Sequence, residues 1–232
     1  MAQSKSLVPK HLGIILDGNR RWAEGKGLPS LEGHQQGAEV LKAVALAAFD
    51  RGVRYISAYA FSTENWQRTE EEVGYLMRLF MKAVELHLDT FDKAGIRVVI
   101  LGRRDGLSSS VVKAFDKTEE KTKNNTRGTL ALCVNYGGQE ELVDATRKLI
   151  ASGVAASDID RQMVKGALYH PEIPGVDLLV RTSGEKRTSG FMLYRSDYAE
   201  LYFTDVLWPD FNQAELDKAL GEYVQRKRRF GK

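Results

Sequence analysis

The chain has 232 residues, 43% of them hydrophobic, with 34 Lys and Arg against 31 Asp and Glu and a formal net charge of +3. That length and apolar content suffice for one domain with a substantial core, and the interleaved charges make no nucleic-acid-binding field beyond the basic end Arg226-Lys227-Arg228-Arg229. The single cysteine, Cys133, has no partner for a disulfide or metal site, and no apolar stretch reaches the ~20 residues of a membrane span or reads as a leader peptide, so a cytoplasmic setting is expected.

Apolar runs alternate with helix-period segments along the whole chain, which predicts an α/β fold: a single open, mostly parallel central sheet flanked by helices. Residues 1–10 are expected to be flexible and 226–232 to form a basic tail. Leu12–Leu16 is the first predicted strand, followed by a polar, glycine-bearing stretch and a helix from about Gly33 to Arg51. Val53–Ala60 is the second strand. A long helix from about Thr69 to Lys93 places Val73, Leu76, Met77, Phe80, Val84, Leu88 and Phe91 on one face. Ile96–Leu101 is a strand, Ser108–Lys123 a charged helix, Thr129–Val134 a buried strand and Gln139–Ile150 a helix. A short helix is expected after a Ser157 cap, then strands at Val176–Val180, Phe191–Tyr194 and Leu201–Thr204. The last helix starts at an Asn212 cap and reaches about Arg229. Nothing along the chain reads as a linker or repeat.

Four predicted strands end on polar clusters. These are Asp17-Gly18-Asn19-Arg20-Arg21-Trp22, Ser62-Thr63-Glu64-Asn65-Trp66 with Arg68, Asn135-Tyr136-Gly137-Gly138, and Arg181 to Ser189. The carboxyl ends of parallel strands share one edge of a sheet, so the clusters can converge on one crevice. Free backbone N–H groups and arginine forks there match phosphate oxygens. Asp17 reads either as a Mg²⁺ ligand bridging a diphosphate or as a turn aspartate. Glu200, in an otherwise apolar strand, is a metal ligand, an ion-pair partner or a solvent-facing acid. The common nucleotide-binding loops are absent from the sequence. Of the four histidines only His34, at a helix start after Gly33, reads as a phosphate neighbour.

Taken together these segments, with Tyr198-Ala199-Glu200-Leu201-Tyr202-Phe203 and Trp208-Pro209-Asp210-Phe211, closely resemble the cis-prenyltransferase family from His11 to Gly231. The resemblance implies condensation of an allylic diphosphate with isopentenyl diphosphate, Mg²⁺ dependence, a homodimer, and a hydrophobic tunnel between the sheet and two helices. A short- or medium-chain product is expected, with peripheral membrane contact only if the product is long. Carried over by residue, Asp17 holds Mg²⁺ with Glu200, the latter supplied by a partner subunit. Gly18, Asn19, Arg20, Arg21 and Trp22 form the allylic diphosphate site with His34 nearby. Arg181, Arg187 and Ser189 bind isopentenyl diphosphate, and Ser62, Thr63, Asn65, Trp66 and Arg68 position the reacting ends.

Arginines and Mg²⁺ stabilise the charge that a departing diphosphate gains, while apolar walls shelter the allylic cation. A diphosphate oxygen, His34 and a bound water are all candidates for the final proton. The chain departs from the family pattern at Ser30, where arginine is usual in the substrate site, at Gly190, where asparagine is usual, and at Leu193-Tyr194-Arg195, where Leu-Trp-Gln is usual. Relatives altered in these regions include enzymes that join two allylic units head to middle, as in lavandulyl synthesis. That irregular coupling is the alternative expectation, followed by a noncatalytic partner subunit.

Overall fold

A computed structural model describes residues 8–226. In chain order the elements are β1 (His11–Ile15), α1 (Asn19–Gly25), α2 (Ser30–Asp50), β2 (Tyr55–Ser62), α3 (Glu70–Lys93), β3 (Ile96–Leu101) and α4 (Ser109–Thr122). They continue with β4 (Gly128–Tyr136), α5 (Gly138–Ala151), α6 (Arg161–Ala167), β5 (Leu178–Arg181), β6 (Glu200–Phe203) and α7 (Gln213–Gln225). The strands form one open sheet in the order β3-β4-β2-β1-β5-β6. Every pairing in it is parallel.

Strands buried on both faces read as apolar runs, and here the alternation divides the core in two. Leu12, Ile14, Ile56, Ala58, Leu130 and Leu132 pack toward α2, α3, α4 and α7. Ile15, Ala131, Cys133 and Leu179 pack on the other side, with Tyr136 and Phe191. Local chemistry sets the helix ends. Thr69 caps α3 by accepting from Glu72 N–H, and three glutamates in its first turn complement the helix dipole. Asn212 caps α7 as expected. The short α6 is capped by Asp160, which accepts from Met163 N–H, rather than by Ser157.

The segment Phe191–Tyr194 is a run of turns and not the expected strand. Ser189, Gly190 and Met192 have positive φ, the amides close local turns to Thr188 and Met192 carbonyls, and Gly190 O accepts from Gly138 N–H instead of a strand. Phe191 drops into the core, stacked 4.6 Å from Tyr59. At the other end, residues next to β1 are tied down: Pro9 is buried and Lys10 N–H donates to Asp177 Oδ2 at 2.9 Å.

His11 opens β1 fully buried. Its Nδ1 is 2.9 Å from the Pro174 carbonyl, which can only accept, so Nδ1 carries the proton and Ser57 Oγ, 2.8 Å from Nε2, donates. Burial pushes this imidazole down to about 4, against the Pro174 hydrogen bond. The unfolded chain therefore binds a proton near pH 6.5 that the folded chain refuses until about pH 4. His11 should cost stability as pH falls across that window, on the order of 3 kcal/mol by pH 4. Urea unfolding at pH 7 and pH 4.5 should show His11→Gln losing less on acidification than the parent chain; equal losses would contradict this.

Candidate active site

The order of the sheet reverses around β1, with β2 on one side and β5 on the other, and a crevice opens beyond the carboxyl ends of these strands. Asp17 and Arg181 face each other across it. Arg181 Nη2 donates to Asp17 Oδ2 at 2.8 Å, and its Nη1 donates to Ser189 Oγ at 2.8 Å and to the Arg187 carbonyl at 2.6 Å. The guanidinium is almost wholly buried, yet its Nε–H has no acceptor. A buried cation with an orphan donor, at the mouth of a cavity, is built to meet an anionic oxygen.

Gly18 lets the chain leave β1 and turn at once into α1. Its φ is +107° and an added Cβ would lie 2.9 Å from the Leu207 side chain. No side chain caps α1, so its first-turn N–H groups stay open toward the crevice. Arg21 is held by Ser183, donating to its carbonyl at 3.0 Å and to its hydroxyl, and its Nη2 lies 3.5 Å from Asp17. Arg20 reaches out over the same opening, 3.9 Å from Glu72, and Arg68 donates to Glu72 at 2.7 Å. Helix α2 can approach because Gly33 has no side chain: a Cβ there would lie 2.0 Å from the Asn19 carbonyl oxygen. This places His34 on the crevice wall with Arg20, Arg21 and Arg68, around a polar space of about 360 Å³. Burial first, then the Arg68 and Arg20 cations, push His34 down to about 4. It is neutral at physiological pH.

At the end of β2, Asn65 Oδ1 accepts from Ser62 N–H at 2.9 Å, and the Ser62 side chain accepts from the Asn65 backbone in return. The pair lines the crevice as one rigid corner. Trp66 stacks edge-on to Phe61 at 5.5 Å and donates to Asn135 Oδ1 at 2.7 Å, while Thr63 Oγ1 sits 3.3 Å from Glu140. Asp17, Asn19, His34, Ser62, Asn65, Arg68, Arg181 and Ser189 thus share one cavity wall. Six other expected residues line neither part of the cavity: Thr63 and Trp66, turned to Glu140 and Asn135, and four more. Trp22 turns away to Asp210, 2.7 Å from its Nε1, with Lys26 over its ring. Ser30 begins α2 behind Pro29 and lines neither part of the cavity. The Arg187 side chain is exposed and pairs with Glu185 at 2.5 Å, so only its carbonyl reaches Arg181. Glu200 lies on β6 level with Leu178 and hence with Leu12, roughly 16 Å down the strands from Asp17. It pairs with Arg226 at 3.0 Å.

Within one chain, then, Asp17 is the carboxylate beside Arg181, while Glu24 and Glu72 stand further out beside Arg20 and Arg68, and no cluster of three or more His, Cys, Asp or Glu suited to a metal occurs among the described residues. Mg²⁺ commonly takes one or two carboxylates plus substrate phosphates and water, so Asp17 fits that ion in company with a bound diphosphate.

The polar mouth opens into an apolar cavity of about 330 Å³ between the sheet and helices α2 and α3. Leu41, Leu76, Phe80, Val84, Leu88 and Leu132 line its length, and Phe91, Val98 and Leu130 close the far end. Along α3 the lining runs from Leu76 to Phe91, about 22 Å at the helical rise. An elongated slot with mostly apolar walls under a cluster of cations accommodates a molecule with an anionic head and a hydrocarbon tail.

One buried cluster shows in the sequence only as the departure at Arg195. Arg195, in the loop that carries Ser189, donates to Glu141 Oε1 at 2.6 Å and to the Tyr169 and His170 carbonyls. Glu141 also accepts from Tyr136 Oη at 2.6 Å and Tyr169 N–H at 3.1 Å. Both members of the pair are buried, which accounts for the unusual residue at 195: it clamps the loop to α5 from behind the crevice.

Residues 15–231 match the family model described as "Putative undecaprenyl diphosphate synthase". An isoprenyl transferase of Thermotoga maritima is 43% identical over 97% of both chains. A ditrans,polycis-undecaprenyl-diphosphate synthase of Pasteurella multocida, named as specific for (2E,6E)-farnesyl diphosphate, is 44% identical over 97% of this chain and 95% of its own. Among solved structures, lavandulyl diphosphate synthase from Lavandula x intermedia in complex with dimethylallyl diphosphate superposes with a TM-score of 0.92 at 31% identity, over 98% of this chain and 100% of that one. No helix among the described residues is long and apolar enough to cross a membrane. With cations at the strand ends, a tunnel beneath them and relatives matching from end to end, the chain belongs to the undecaprenyl diphosphate synthase family of prenyltransferases.

Proposed function

We propose that this chain elongates an allylic diphosphate with isopentenyl diphosphate in the cis sense, dependent on Mg²⁺, to a product of short or medium length. The observation that carries the reading is the Asp17–Arg181 pair seated at the mouth of the apolar tunnel, with the Arg181 Nε–H still lacking an acceptor. The allylic diphosphate lies over Gly18–Arg21 with its hydrocarbon between α2 and α3. Arg181 and Ser189 face the isopentenyl diphosphate, and Arg20, Arg21 and Arg68 meet the charge that grows on the leaving diphosphate as the carbon–oxygen bond breaks. Bound Mg²⁺, held by Asp17, would add Lewis-acid stabilisation of that same leaving group. The isopentenyl double bond attacks the allylic carbon, and the proton then lost goes to a diphosphate oxygen or to neutral His34. Asn65 orients; it has no basic atom.

The tunnel length supports the chain-length reading. An isoprene unit adds roughly 5 Å of extended chain at ~1.5 Å per carbon–carbon bond, so about 22 Å holds about four units. A homodimer fits the exposed β6 edge, where Tyr198 and Leu201 stand out to solvent. In a homodimer Glu200 acts on the neighbouring crevice. Mass spectrometry of products from dimethylallyl, geranyl or farnesyl diphosphate, each with and without isopentenyl diphosphate, tests the reading: a linear series that requires isopentenyl diphosphate is expected.

Irregular coupling is the second reading, favoured by the close superposition on lavandulyl diphosphate synthase and by Ser30 and Gly190. A branched product from allylic substrate alone would establish it in place of elongation. The Ser30 position gives a separate test. Ser30→Arg should lower the allylic KM roughly tenfold, the worth of one ~1.4 kcal/mol charge-assisted hydrogen bond to the diphosphate. A higher KM would show a pocket rebuilt around another pose.

A further inference from the structure

Below its mouth the cavity is lined mostly by apolar side chains; Thr118 of α4 is a polar exception, and a charged cluster stands on the outer wall, where α2 and α3 meet. His87 of α3 is 7% exposed and its Nε2 lies 2.9 Å from Oε1 of Glu39 on α2, without the alignment of a hydrogen bond. Lys42, one turn further along α2, binds the other oxygen of Glu39. His87 and Lys42 both line the cavity, whereas Glu39 is the half-exposed member on the outside of the seam. No other side-chain hydrogen bond or ion pair joins α2 to α3 among the described residues; the remainder of the seam is apolar packing over the slot. His87 lies eleven residues beyond Leu76 on α3, about 16 Å from where the lining of that helix begins. That depth matches the third to fourth isoprene unit at roughly 5 Å each.

We propose that the His87–Glu39–Lys42 cluster is a product-length determinant: a clasp that holds α2 against α3 beside the third and fourth isoprene units and so limits how far the chain can grow. The inference rests on the elongation reading and specifies one of its outcomes. Two physical effects act together. A longer chain must widen the seam, which the clasp resists, and it must lie against the imidazole and ammonium groups, whose desolvation by hydrocarbon is unfavourable. Burial, reinforced by the Lys42 cation and opposed by Glu39, holds His87 toward its neutral form. The contact is thus short but not a strong charge pair, and a hydrocarbon of sufficient length can part it.

The test compares product-length distributions, not rates, for the parent, His87→Leu and Glu39→Ala, with one allylic diphosphate and excess isopentenyl diphosphate in Mg²⁺. Glu39 is partly exposed, so its variant folds even if the buried His87 site repacks poorly. Both variants should move the most abundant product upward by at least one isoprene unit, and the double variant should move it no further than the larger single shift, because one clasp is broken. Unchanged lengths in both, with the parent elongating normally, would overturn the clasp alone. A parent that makes no elongated product would overturn the elongation reading and the clasp with it.

Discussion

Asp17→Asn is expected to lower turnover by roughly 10²–10³-fold, the scale seen when one preorganised charge-stabilising group is lost from an active site, while the protein stays folded. Asparagine keeps an oxygen for Arg181 Nη2, which Asp17 now holds at 2.8 Å. Arg181 retains Ser189 and the Arg187 carbonyl as well, so the buried guanidinium is not left without acceptors. What disappears is the negative charge that Asp17 brings to the head of the tunnel, where it can hold a divalent cation beside a diphosphate. The loss should appear in kcat at saturating substrates and should not be recovered by raising Mg²⁺ tenfold. Turnover within threefold of the parent, at an unchanged thermal midpoint, would remove Asp17 from the reaction and leave it as the structural partner of Arg181.

The second large effect lies behind the sheet and acts on stability. Arg195 and Glu141 are 4% and 1% exposed at the side chain, so removing one leaves the other charged, buried and unpaired. Arg195→Gln or Arg195→Leu should therefore cost about 3–5 kcal/mol of folding stability. Glu141→Gln combined with Arg195→Gln should recover more than half of that, since neutral amides can satisfy Tyr136, Tyr169 and the loop carbonyls without stranding a charge. Denaturant unfolding of the singles and the double forms the cycle. Simple additivity would mean that the pair is not coupled and that Arg195 contributes only its packing.

These two sites differ in how legible they were. Asp17, Arg181 and Ser62 follow apolar runs directly, and a parallel sheet places such positions at one edge, so their convergence followed from pattern alone. That β5, some 160 residues after β1, is its neighbour could not be read: both strands are apolar runs, and parallel register leaves no local turn to fix pairing. The Phe191–Tyr194 turn was missed because its apolar content marks burial, not extension; positive φ at Ser189 and Met192 is set by the surrounding loop. Arg195 and Glu141 each look like surface residues, and only the tertiary structure brings them together. His87 looked like an ordinary helix histidine. Its meaning depends on Glu39 and Lys42, forty-eight and forty-five residues away, which lie on the facing helix. The basic tail expected at 226–232 lies, beyond Arg226, outside the described residues.

The most direct test of the central claim is a crystal structure of the protein with Mg²⁺ and an unreactive thiolo analogue of an allylic diphosphate. The account predicts the diphosphate over Gly18–Arg21, Asp17 released from Arg181 to the metal, and the hydrocarbon running between α2 and α3 toward Phe91. A diphosphate bound elsewhere, or a tail lying outside that slot with the Asp17–Arg181 pair intact, would contradict it.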